Sequence, residues 1–142
     1  MKNAIKFWGI VILLILLSRY VGGLLGEKAA IRNNFDVAKN LNLELPKVID
    51  GISQDSVSFS TGDNSTLGTF TWYHTDLNTE GFTFDEFSRE FYMEMARNYI
   101  SSNVCNDDKI KELRSHHTLK YTYFSLDGNE IGSVEVHPSD CQ

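Results

Sequence analysis

The feature that most restricts what this chain can fold into is an almost uncharged apolar run, Phe7 to Leu25, preceded by Lys2 and Lys6. Roughly 20 apolar residues span a bilayer as a helix, and the stretch from Ala4 to Leu25 has that length. Its one charge, Arg19, lies near an end, where a long stem reaches the interface. Ser18, Gly22, Gly26 and Ala30 recur every fourth residue, a spacing that lets a second helix approach closely in lipid, from a partner protein or a second copy. Two lysines before the run and no acidic residue until Glu27 predict a single-pass inner-membrane anchor with a cytoplasmic N-terminus and a periplasmic C-terminal domain. The competing reading is a cleaved signal peptide, with Lys2 and Lys6 as its basic region, Phe7 to Leu17 as its apolar region and Val21-Gly22-Gly23 at the cleavage region. The anchor is preferred because the small-residue spacing continues past that region.

Either way, residues 1–26 leave the soluble core. About 115 residues remain, enough for one small domain and too few for two. All 19 acidic residues but only 10 of the 13 basic ones lie in that remainder, a net charge near −9. Such a charge opposes binding to nucleic acid and to anionic lipid head groups, and suits a basic partner. The two cysteines, Cys105 and Cys141, fall on the predicted outward side, where thiols oxidise. A redox pair would bring the thiols close in sequence, as in Cys-x-x-Cys. Cys105 and Cys141 therefore read as one structural disulfide, whose closure of a loop of roughly 37 residues contributes about 4 kcal/mol through chain entropy.

Residues Glu27 to Leu45 read as a helix weakened by Asn33, Asn34 and Asn40 and ended near Pro46, and 27–50 together as a stalk before a domain over 51–142. From Ser56 to Thr75 the apolar period becomes two, with turn residues at Thr61 to Ser65, which predicts a hairpin. Thr83-Phe84-Asp85-Glu86 has the form of a capping box, opening a helix that places Phe84, Phe87, Phe91 and Met95 on one face, the expected core face. Asn106-Asp107-Asp108 caps a shorter helix with Ile110 and Leu113 inward. Thr118 to Leu126 and Ile131 to His137 flank the turn Asp127-Gly128, with a bulge expected near Gly132 because Ile131 is out of phase with Val134 and Val136. This order predicts an α+β domain: an antiparallel sheet of about four strands, in two hairpins, packed against one long and one short helix.

Leu45-Pro46-Lys47-Val48-Ile49-Asp50, Asp55-Ser56-Val57, Thr69-Phe70-Thr71-Trp72-Tyr73, Cys105, Tyr121-Thr122-Tyr123, Asp127-Gly128 and Ser139-Asp140-Cys141 follow one another at a spacing that resembles a group of small bacterial envelope proteins. In that group an anchor or signal sequence precedes a two-cysteine α+β domain. The resemblance implies an envelope location and no activity, and it carries over no site residue.

Candidates for chemistry are few. His116 and His117 are adjacent and diverge by about 100° on a helix, so they do not share one ion, and no metal or cofactor site is read. His74 shares a strand face with Phe70 and Trp72 and precedes Asp76, so a His74/Asp76 pair of a small envelope hydrolase is the catalytic alternative. No Gly-x-Ser-x-Gly and no free cysteine supplies a nucleophile for it. Asp85, Glu86, Glu90 and Glu94 read as the solvated face of a capped helix. The sequence thus favours a non-enzymatic interaction module, an accessory subunit or inhibitor-like partner in an envelope assembly, over a hydrolase or a secreted ligand-binding protein.

Overall fold

The computed structural model describes residues 30–62 and 67–141. The proposed anchor, with Ser18, Gly22 and Gly26, lies outside them. Ala30 lies at the described start of the first helix and is exposed. Among the described residues no helix is long and apolar enough to cross a membrane.

Helix α1, over 30–41, passes into a 3-10 turn at Asn42–Glu44. Five strands follow: β1 (Lys47–Ile49), β2 (Ile52–Thr61), β3 (Gly68–Asp76), β4 (Thr118–Ser125) and β5 (Glu130–Val136). Between β3 and β4 the chain forms α2 (Glu86–Asn106) and α3 (Lys111–His116). The sheet order is β1-β2-β3-β4-β5. Both expected hairpins form, β2 with β3 and β4 with β5, and the bulge falls where Tyr123 pairs with Gly132 while Phe124 pairs with Glu130.

Two expectations about the sheet need correction. It has five strands, and it is mixed, because β3 and β4 run parallel, in register from Thr69↔Thr118 to Asp76↔Ser125. A hairpin is a local object that alternation and turn residues reveal. The relation between two hairpins depends on the connection, and a helical crossover of this length allows parallel neighbours. The fifth strand, β1, comes from the stretch read as a stalk. It reaches β2 through Asp50 and Gly51, both at positive φ (52° and 81°), the requirement of a two-residue type I′ turn. The helical part of that stretch also belongs to the domain: Ala38 is buried in the core, and the Phe35 ring packs edge-on against Phe59 at 5.2 Å. Asn42 extends the sheet where β1 stops. Its side chain donates to the Val57 carbonyl (2.6 Å) and accepts from the Val57 N–H (2.8 Å), so it satisfies the two backbone groups a missing strand residue would have paired.

One face of the sheet carries the core. Val57, Phe59, Phe70, Leu119, Tyr121, Tyr123, Val134 and Val136 alternate inward from four strands, and Phe70 and Leu119 are fully excluded from solvent. α2 lies over the β5 side, where Gly132 lets it approach so closely that an added Cβ would come within 2.8 Å of Met93 Sδ. α1 and α3 cover the end around Phe59 and Phe70, with Val37, Ile110 and Leu113 packed against the core. The disulfide forms as expected between Cys105, in the last turn of α2, and Cys141. It ties the 3-10 turn Pro138–Cys141, which follows β5, to the helix that packs on β5.

Candidate groove beside the long helix

The helix cap lies two residues later than the capping-box pattern suggests. Asp85 is the N-cap, and its carboxylate accepts from the Ser88 N–H at 2.7 Å and the Ser88 hydroxyl at 2.6 Å. Those bonds hold its pKa below the ordinary carboxylate value. Phe84 therefore precedes the helix, packing against Phe82 and Tyr92.

The larger correction concerns which face of α2 is buried. Phe87 is 79 % exposed, Phe91 and Met95 each 58 %, and Tyr99, which continues their spacing, 66 %. Met93, Ile100 and Val104 form the buried stripe instead. α2 carries more apolar residues than one face can hold, and the close approach at Gly132 decides which of them are covered. The exposed stripe advances by four residues per step, so it winds slowly around the helix, from Phe87 on the outer surface to Met95 and Tyr99.

Met95 and Tyr99 border a groove of about 430 Å³ between α2 and the β1–β3 end of the sheet. Its opposite rim is Ile49, Asp50 and Ile52, from the β1–β2 hairpin, and its floor includes His74, Tyr121 and Tyr123. Ile49 and Val48 are exposed, so an apolar surface continues beyond the rim. The hairpin that forms this rim has a signal in the sequence, Asp50-Gly51 between Val48-Ile49 and Ile52, and the helix-and-stalk reading passed over it.

Both members of the catalytic alternative line the groove, and Asp76 is engaged by residues other than His74. Asp76 is buried and accepts from the Asn78 N–H (2.9 Å), the Asn78 side-chain amide (3.2 Å) and the Tyr92 hydroxyl (3.0 Å). Its own carbonyl accepts from Thr79 Oγ1, which in turn accepts from the Leu126 N–H. Asp76 thus fastens the start of α2 to the ends of β3 and β4, and none of these bonds goes to His74. The Tyr92 hydroxyl is pushed well above the usual phenol pKa, by burial first and then by the Asp76 hydrogen bond. His74, only 4 % exposed, lies beside the Tyr123 ring at 5.1 Å, and its Nδ1 has no hydrogen-bond partner among the described residues. Burial lowers its pKa, against the Asp55 charge and the backbone of Thr122 and Trp72, so the ring is neutral at pH 7. Burial also pushes Tyr123 up to about 12.

The other histidines are dispersed. His117 sits at the opposite end of the sheet, accepts from the Gly68 N–H at 3.3 Å, and packs against Phe59 and Phe70. His137 Nδ1 meets Thr118 Oγ1 at 3.2 Å. Among the described residues no three His, Cys, Asp or Glu side chains are grouped to hold a metal ion.

Fold and site together define a two-layer α+β domain with an open apolar groove along its long helix. Two solved structures share this fold. A Pseudomonas aeruginosa protein assigned as secreted aligns over 82 % of this chain and 96 % of its own, at 13 % identity and a TM-score of 0.58. The pilotin EpsS of the Vibrio vulnificus type 2 secretion system aligns over 82 % of this chain and 94 % of its own, at 14 % identity and a TM-score of 0.55. No protein-family model and no curated protein matches the chain.

Proposed function

We propose that this protein is a bacterial envelope interaction module, held at the membrane by its apolar N-terminal segment, whose groove takes up an apolar segment of a partner protein. The observation that carries this reading is the exposed stripe Phe87, Phe91, Met95 and Tyr99 running into the groove. A contiguous apolar surface of this kind marks an interaction site more often than a free surface. The layer geometry supports it. α2 covers the β5 side of the core face and α1 and α3 the end around Phe59 and Phe70, which leaves the stretch lined by Ile49, Ile52 and His74 open beside α2. A shared fold with a protein assigned as secreted and with a secretion-system pilotin is consistent with an accessory role in the envelope. We take the role to be non-enzymatic, which is supported by the engagement of Asp76 with Asn78 and Tyr92 rather than with His74.

Site-specific photo-crosslinking in native membranes tests the proposal. A photoreactive residue placed at Met95 or Tyr99 of the full-length protein should give one discrete protein adduct, absent when the same residue replaces Glu135 on β5. Adducts of the same size from all three positions, or none from the groove, refute it.

A further inference from the structure

Resting on the reading of the groove as a partner-segment site, we propose that His74 is its polar selector: the segment it prefers is basic and apolar-faced, and presents one neutral hydrogen-bonding side chain, a carboxamide or hydroxyl, to the His74 ring. The first observation is the unpartnered Nδ1 of a side chain that is 4 % exposed and lines the groove floor. Buried polar atoms are nearly always paired, and one left open on the floor of a groove lined mostly by Ile, Met, Ala and Tyr, with Asp50, Gln54 and Asp76 as its other polar residues, is a demand that an all-apolar ligand leaves unmet. A half-turn of the ring about Cβ–Cγ exchanges Nδ1 with Cδ2 and fills the same space, so a bound side chain can meet a ring nitrogen without repacking the floor.

The second observation is charge. Among the described residues, the carboxylates lining the groove are Asp50 and Asp76, and no Lys or Arg lines it. Asp76 already accepts from Asn78 and Tyr92, whereas Asp50 is exposed at the rim, so the charge offered to a ligand is negative and lies at one end. The third is extent. Phe87 and Phe91 continue the apolar stripe beyond the groove, and from Phe87 to Tyr99 the helix rises about 18 Å. That length suits a polypeptide segment rather than a small molecule.

The test uses the full-length protein in zwitterionic lipid nanodiscs, with ring-¹⁵N histidine, and a set of basic amphipathic peptides about three helical turns long. The parent has an all-Leu apolar face, and in each other member one Leu is replaced by Gln. Affinity is read in every variant by the fluorescence anisotropy of dye-labelled peptide, corrected for uptake by empty discs, and in the wild type also at the His74 nitrogen resonance. One Gln peptide should bind roughly tenfold more tightly than the parent and shift the His74 resonance, and in His74→Phe that preference should disappear. His74→Gln, which keeps a hydrogen-bonding group, should retain part of it. The remaining histidine resonances report whether each variant is folded. Equal affinity for parent and Gln peptides, or a Gln preference that survives His74→Phe, overturns the selector role while leaving the groove reading intact. If no peptide perturbs His74, and Met95→Glu changes nothing, the groove reading itself falls and the selector role with it.

Discussion

Tyr92→Phe removes one oxygen and changes almost no volume, so it isolates the anchor that holds α2 against β3. The Tyr92 hydroxyl donates to Asp76 Oδ2 at 3.0 Å, and Asp76 is 8 % exposed. A hydrogen bond to a buried carboxylate contributes about 1.5 to 3 kcal/mol, and the variant also leaves one carboxylate oxygen short of a partner. Asp76 retains two bonds from Asn78, which limits that second cost. The loss should be about 2 kcal/mol. With a urea slope of roughly 1.3 kcal/mol per molar for a domain of this size, the midpoint falls by about 1.5 M. Trp72, stacked on Tyr121 at 5.2 Å, reports unfolding by fluorescence in a Trp8→Phe background. The double variant with Asp76→Asn completes a thermodynamic cycle, and its coupling energy should exceed about 1 kcal/mol. A loss below about 0.5 kcal/mol, or additive single variants, would refute the assignment of Asp76 as the anchor of the groove wall.

Cys141→Ser should cost about 2 to 4 kcal/mol in urea, and reductant should bring the wild type to the same midpoint; an unchanged midpoint would mean that the link from α2 to the turn after β5 carries no stability. Phe70→Ala, at a fully buried site packed on Phe59 at 4.7 Å, should cost about 4 kcal/mol, and a loss under about 2 would show that the core collapses around it. His74 and His117 are both shifted down by burial, so the unfolded chain takes up protons near pH 6.5 that the folded protein refuses. Stability from this source is complete above about pH 6.5 and declines on acidification, and His74→Gln should flatten the difference in urea midpoint between about pH 7.5 and 5.5. A pH difference in urea midpoint that His74→Gln leaves unchanged would contradict the burial of this ring.

The legible parts of the fold were those with short-range causes. Alternation from Ser56 to Thr75, the Asp127-Gly128 turn and the phase slip at Ile131 each act over a few residues, and the two hairpins and the bulge follow from them. The disulfide was legible from compartment and spacing alone. The stalk reading failed because Asn-rich helical sequence and a three-residue strand carry little periodic signal. Their place in the fold comes from contacts made far along the chain, such as Asn42 with Val57 and Phe35 with Phe59. His74 and Asp76 illustrate the same limit at the site. Their spacing permits a pair, yet Asp76 is claimed by Asn78 and Tyr92, whose positions no strand pattern reveals.

By itself the sequence determined an apolar N-terminal run, an acidic two-cysteine α+β domain and most of its local elements, because periodicity, turn chemistry and charge act between near neighbours. Only the tertiary structure decided that β3 and β4 are parallel and that α2 turns Met93, Ile100 and Val104 inward. It likewise left Phe87, Phe91, Met95 and Tyr99 on the surface beside an open groove. A helix with apolar residues on more than one face has several faces it could bury, and the choice among them is made by the strand it meets, here at Gly132.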